Sequence, residues 1–222
     1  MSDDKLSRQR RSFLEGVIAT AAAAGVAAVA PGIEAAAAAE TPGEFSKWLA
    51  GIKGKHRQVY DMPEVNGGMG LAWSWVLKLT GAQAYGVSED DIGVVVVLRH
   101  NAIPLAFQDA MWEKYPLGEY FRIEERGSNA PATRNPYSNL KPGEWVPDAA
   151  IDKLVAKGVK VAVCNFAVTH YSGEIAKKTG ATAQQVKDDW LANVIPGVAI
   201  VPSGVVALNG AQAKGCAYVA AG

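Results

Sequence analysis

Apolar and polar positions along the chain switch repeatedly between a helical period and short continuous apolar runs. Residues 40–54 set Phe45, Trp48, Leu49 and Ile52 at helical spacing, which predicts a short amphipathic helix. Residues 57–62 form a brief strand. A glycine-rich turn, Asn66-Gly67-Gly68-Met69-Gly70, leads into a buried helix over 71–79 with Trp73, Trp75, Val76 and Leu79, broken by Ser88-Glu89-Asp90-Asp91. Ile92–Leu98 reads IGVVVVL, apolar on both faces, as in a parallel strand covered by helices on each side. A helix is expected at 105–115. A second buried strand follows at 159–166, after a helix over 147–158 with Asp148 near its start and Gly158 just past its end. Helices at 172–178 and 183–194 come next, the latter capped by Thr182. A strand at 198–201, a helix at 205–214 and a last strand at 216–220 close the pattern. Strand–helix alternation of this kind predicts an α/β fold: a mainly parallel five-stranded sheet between two helix layers, joined by right-handed crossovers.

Two segments fall outside this rhythm. Residues 116–147 are rich in Gly and Pro, and a loop of that length in a compact domain points to function or assembly. It is expected to carry little regular structure and to pack over the strand ends or against another subunit. Residues 1–39 read as an export signal: a basic start (Lys5, Arg8, Arg10, Arg11), an alanine-rich apolar stretch over 17–33, and Ala37-Ala38-Ala39 as a cleavage site. Arg10-Arg11 before Ser12-Phe13-Leu14 has the layout of a twin-arginine signal, which predicts a periplasmic protein. No other stretch approaches a membrane span, so no membrane contact is expected after cleavage.

The chain has 222 residues, with Lys+Arg and Asp+Glu at 22 each. The signal segment carries four of each sign, so cleavage leaves the balance at zero. A neutral chain lacks the basic excess of a phosphate-neutralising nucleic-acid binder. Two cysteines are too few for a disulfide framework. Cys164 and Cys216 sit at opposite ends of the predicted sheet, roughly 15 Å apart along a five-residue strand, and are expected not to pair.

Several segments resemble the DsrE/DsrF-like family. They are GVKVAVCNFAV at 158–168, PGVAIVPSGVVALNGAQAKGCAYV at 196–219, and VVVVLRHNAIPLAF at 94–107. The twin-arginine signal and the PATRNP run at 131–136 resemble an exported branch of it. The resemblance covers 55–222. It implies a flavodoxin-like three-layer sandwich and homo-oligomers. It also implies that Cys164, at the end of a strand, carries sulfur as a persulfide and exchanges it with a donor or acceptor protein.

Ligands of open α/β sheets bind beyond the carboxyl ends of the strands. His100, Cys164 with Asn165, and Ser203 with Gly204 follow strands and are expected to converge there, where helix N-termini favour a small anionic ligand. A thiol before a helix N-terminus has its pKa lowered, which would make Cys164 reactive; the alternative is a packing cysteine. His100 either assists Cys164 or satisfies loop backbone. His170, expected to start the next helix, either reaches the site or faces solvent. Arg134 either clamps an anion or fixes its loop. No C-x-x-C or H-E-x-x-H occurs, so neither metal nor other cofactor is expected, unless His100, Cys164 and His170 assemble in space. The glycine turn matches no nucleotide-binding motif. The two readings left are a thiol-dependent sulfur carrier and a non-catalytic small-ligand or assembly protein on the same fold.

Overall fold

The computed structural model describes residues 42–222. The expected signal segment, with Arg10 and Arg11, and the first residues of the helix expected over 40–54 lie outside the described residues. The described chain is an α/β three-layer sandwich of flavodoxin-like type around an all-parallel five-stranded sheet. The strands are β1 (His56–Met62), β2 (Ile92–Leu98), β3 (Lys160–Cys164), β4 (Ala199–Val201) and β5 (Ala217–Ala220), in the order β4-β3-β2-β1-β5. The chain steps outward from β1 to β4, then returns to add β5 on the far side of β1. The winding direction therefore reverses between β1 and β5.

The uniform apolarity of β2 follows from burial on both sides. Ile92, Val94, Val96 and Leu98 enter the larger core, under α2 (Met69–Tyr85), α5 (Ile151–Ala156), α6 (Asn165–Thr179) and α7 (Ala183–Ala192). Val95 and Val97 enter the smaller one, under α1 (Pro42–Ala50) and α8 (Gly204–Ala213). Gly93 has no side chain because the Lys53 carbonyl occupies the place a Cβ would take. The register aligns Met62 with Leu98 and Leu98 with Val163, so the polar residues after each strand emerge along one sheet edge.

Four sequence expectations are corrected by packing. The helix expected at 71–79 runs over Met69–Tyr85 and is not buried all round, since Trp73, Val76 and Leu79 face outward. The helix expected at 105–115 divides into a 3₁₀ segment, His100–Ala106, and α3 (Asp109–Lys114). Pro104 lacks the N–H that a continuous α-helix would use. The strand expected to reach 166 stops at Cys164, because the Cys164 sulfur caps α6 and turns Asn165 and Phe166 into its first residues. His170 consequently lies inside α6 rather than at its start. The loop after α3 folds a short helix, α4 (Leu117–Phe121), and an isolated bridge between Glu124 and Pro131.

That loop packs over the strand ends. Its anchor is Asn135, fully buried, whose Nδ2 donates to the carbonyls of Leu105 and Phe107, each at 2.9 Å. Its backbone N–H donates to Asp109. Arg126 stacks on Tyr137 and Trp145, with its guanidinium 4.5 and 4.6 Å from the ring centres, and donates to the Gly67 carbonyl. The turn it meets needs Gly68: φ is +81°, and a side chain there would strike Tyr137.

Candidate functional site

Two polar clusters stand side by side at the carboxyl edge of the sheet. The first begins where β1 and β2 end. Glu64 follows β1, and His100 and Asn101 follow β2. Asn101 Nδ2 donates to both carboxylate oxygens of Glu64, at 3.1 and 3.0 Å, and Tyr171 donates its hydroxyl to Asn101 Oδ1 at 2.8 Å. Nδ1 of His100 stands 3.5 Å from Glu64 Oε1, and its ring meets Tyr171 edge-on. His100 holds this position in a left-handed backbone conformation, φ +51°. Burial raises the Tyr171 pKa far above its ordinary value, so the phenol stays a donor. Burial also lowers the His170 pKa, with His100 and Lys177 adding to the effect and Glu174 opposing it.

Above Glu64 opens a cleft of about 780 Å³. Its walls come from the turn after β1 (Glu64 to Gly67), from Asn101, from Gly222 after β5, and from the loop segment 121–128 with Arg122 and Arg126. The cleft thus lies at the point between β1 and β5 where the winding reverses, the usual ligand position in open α/β sheets. Glu64, gripped by the Asn101 amide, lines the cleft together with Glu124, Glu125, Arg122 and Arg126 of the loop.

The second cluster lies on the α8 side. Arg99 makes a bidentate pair with the buried Asp61, Nε to Oδ1 at 2.6 Å and Nη2 to Oδ2 at 2.9 Å, and Tyr218 donates to Oδ2 at 2.7 Å. Next to Arg99 is Cys164. Its sulfur accepts the N–H of Ala167 at 3.3 Å, and the N–H groups of Phe166 and Gly204 also favour its thiolate, as does the Arg99 charge. Burial outweighs all of these: the residue is 5% exposed and its pKa is raised. The expected accessible, low-pKa thiol is therefore corrected to a buried thiol ringed by N–H donors. Cys216, before β5 at the opposite end of the sheet, is also free and buried.

The remaining expected site residues separate. His100 groups with Glu64 in the cleft cluster, whereas the charged neighbour of Cys164 is Arg99. Asn165 is fully buried at the start of α6. Ser203 caps α8 by accepting the Val206 N–H at 3.3 Å. A Cβ on Gly204 would stand 2.7 Å from that of Arg99, so its small size admits the Arg99 side chain. Arg134 pairs with Glu144 at 2.6 Å and so fixes its loop. His170 packs against Tyr171 on α6. Among the described residues no group of three His, Cys, Asp or Glu side chains is placed to hold a metal ion, and no helix is long and apolar enough to cross a membrane.

The sequence reading missed Glu64, Asn101, Arg122, Arg126, Asp61, Arg99, Tyr171 and Tyr218. The strand-end rule that selected His100 also covers its neighbours Arg99 and Asn101, and Glu64 after β1. Tyr171 and the loop arginines reach the site only through folding. No protein-family model matches the chain, and neither a curated protein nor a solved structure matches it at a significant level.

Proposed function

We propose that this chain is an exported, non-catalytic protein of DsrE-like type that binds a small polar molecule in the cleft above Glu64. The observation that carries the reading is the coincidence of a roomy cleft with the sheet's winding reversal, over a carboxylate already oriented by Asn101 and Tyr171. Binding sites pay less to order a ligand when their polar groups are fixed beforehand. The lining sets Glu64, Glu124 and Glu125 beside Arg122 and Arg126, which suits a polar molecule with donor or cationic groups for the carboxylates and an anionic group for the arginines. Native mass spectrometry of the protein purified from the periplasm tests this. A non-covalent molecule should be retained by the native chain and lost from Glu64→Gln and Arg122→Ala variants that melt normally. Retention undiminished in both variants would remove the cleft as the site.

The signal segment supports periplasmic delivery by the twin-arginine route. Changing Arg10 and Arg11 together to Lys should leave unprocessed precursor in the cytoplasm. Normal periplasmic accumulation of that variant would end the assignment.

A second reading rests on the N–H groups around the Cys164 sulfur. They suit an anionic sulfur, as in a carrier whose thiolate takes the outer sulfur of a donor persulfide and releases the donor thiolate. Intact-mass measurement separates the two readings. One added sulfur atom on Cys164, removed by reduction and absent from Cys164→Ser, favours the carrier. An unmodified Cys164 with a retained non-covalent ligand favours the binding protein.

A further inference from the structure

A second cavity lies at the opposite, amino edge of the sheet, and the stagger of the strands creates it. β1 and β2 start level, with His56 beside Ile92, but β3 starts only opposite Val95. Ile92, Gly93 and Val94 therefore have no β3 residue beside them, and a recess of about 390 Å³ opens there. Four lysines from four separate segments line it. They are Lys53 from the connection between α1 and β1, Lys78 from α2, Lys157 just after α5, and Lys160 at the first position of β3. Among the described residues Asp90 is the one carboxylate in the lining. The chain as a whole is neutral, so the recess is a local excess of positive charge. The four ammonium groups are held differently. Lys78 is buried, and its Nζ donates to the carbonyls of Glu89 at 2.8 Å and Ile92 at 3.2 Å. Lys160 lies against backbone: a Cβ on Gly51 would stand 2.5 Å from its Nζ. Burial, and after it the charge of Lys53, lowers the Lys160 pKa. Among the described residues Lys53, Lys157 and Lys160 make no ion pair. A lysine that serves only solubility keeps its head in water, away from other cations.

We propose that this recess binds a small phosphorylated polyanion, carrying two or more phosphoryl groups, between Lys53, Lys157 and Lys160. An anion there removes the repulsion between Lys53 and Lys160 and gives acceptors to ammonium groups that no described carboxylate pairs. The use of lysine points to phosphoryl groups. An ammonium is a compact charge with three rotatable donors, which suits a tetrahedral oxyanion, whereas arginine supplies the planar fork that matches a carboxylate. Four lysines against one carboxylate call for more than one negative charge on the ligand. The volume is within the range of small-molecule pockets and corresponds to about a dozen waters, more than a single phosphate fills. Nucleic acids and anionic membranes require a broad basic face, and here the charge is confined to one recess of a neutral chain.

The inference is independent of what the cleft above Glu64 or Cys164 does, since both lie at the other edge of the sheet. Isothermal titration calorimetry of the full chain with inorganic pyrophosphate, in dilute buffer at pH 7, should give one-to-one binding. Orthophosphate should bind about tenfold more weakly or worse. Lys160→Met should weaken pyrophosphate binding about tenfold or more, the loss of one charge-assisted contact. Lys157→Gln, on an exposed turn, should do the same and keeps the test open if Lys160→Met fails to fold. A wild-type chain that takes up no pyrophosphate overturns the proposal, and so does orthophosphate binding as tightly. Affinity undiminished in either lysine variant that folds also overturns it. If that same affinity is lost from Arg122→Ala, the anion sits in the cleft instead.

Discussion

At the scale of single residues, Cys164 shows how burial can defeat a favourable electrostatic setting. Backbone N–H groups and the Arg99 charge favour its thiolate, yet desolvation is the largest effect and moves the pKa upward. Alkylation of native Cys164 should therefore be slow and should have its midpoint above the ordinary thiol value of about 8.5. Arg99→Met should move that midpoint further up by removing a charge that favours the thiolate. The same change strips the bidentate partner from Asp61, which is 4% exposed. Because the Arg99 side chain is itself 29% exposed, the cost falls toward the lower end for a broken buried pair, about 2–3 kcal/mol, measurable by urea unfolding. A midpoint at or below the ordinary value would mean that the helix N-termini dominate after all.

At the scale of elements, termini and close approaches do most of the specifying. Thr182 accepts the Gln185 N–H at 3.2 Å and the Gln185 side chain accepts the Thr182 N–H at 2.9 Å, a complete capping box at the start of α7. Thr182→Ala should cost about 1 kcal/mol in urea unfolding, without moving the cleft. Gly93 lies under the segment between α1 and β1, and any side chain would collide with the Lys53 carbonyl. Gly93→Ala should cost about 1–3 kcal/mol, as overpacking does. A neutral result would show that the α1–β1 segment can move aside. The Thr182 cap was readable because a cap and its helix are neighbours in sequence; the reciprocal bond to the Gln185 side chain is shown by the structure. The Gly93 contact was not readable, because its other half comes from a segment some forty residues away in the chain.

At the scale of the molecule, buried tyrosines set the alkaline limit. Burial pushes Tyr60 and Tyr120 up to about 12, with the Glu174 charge adding to the effect at Tyr120. Tyr115 and Tyr171 are raised as well, also chiefly by burial. These phenols keep their protons in the folded state, while in the unfolded chain they ionise near pH 10. The unfolded state then binds fewer protons, so stability falls as pH rises from about 10 toward 12. His170 acts at the other end: its lowered pKa means that the unfolded chain takes up a proton first, and stability falls as pH drops below about 6.5. Urea midpoints measured from pH 5 to 11 should therefore decline at both ends. A flat alkaline limb would contradict the burial of the tyrosines.

Local pattern by itself determined that the chain is α/β, that Ile92–Leu98 and the strand ending at Cys164 are central, and that His100 and Cys164 stand at the carboxyl edge of the sheet. A strand covered on both faces must be apolar throughout, and a helix start must be capped from nearby, so both leave marks in a few consecutive residues. Only the tertiary structure decided which polar residues share a site. The reversal between β1 and β5 brings Glu64, Asn101 and Gly222 together, and the loop pinned by Asn135 adds Arg122 and Arg126. It also decided that Cys164 is buried and that Lys78 turns inward, leaving the outer side of α2 without charge. These outcomes depend on which distant segments meet, and the free energy of such meetings is written in shape and burial rather than in sequence spacing.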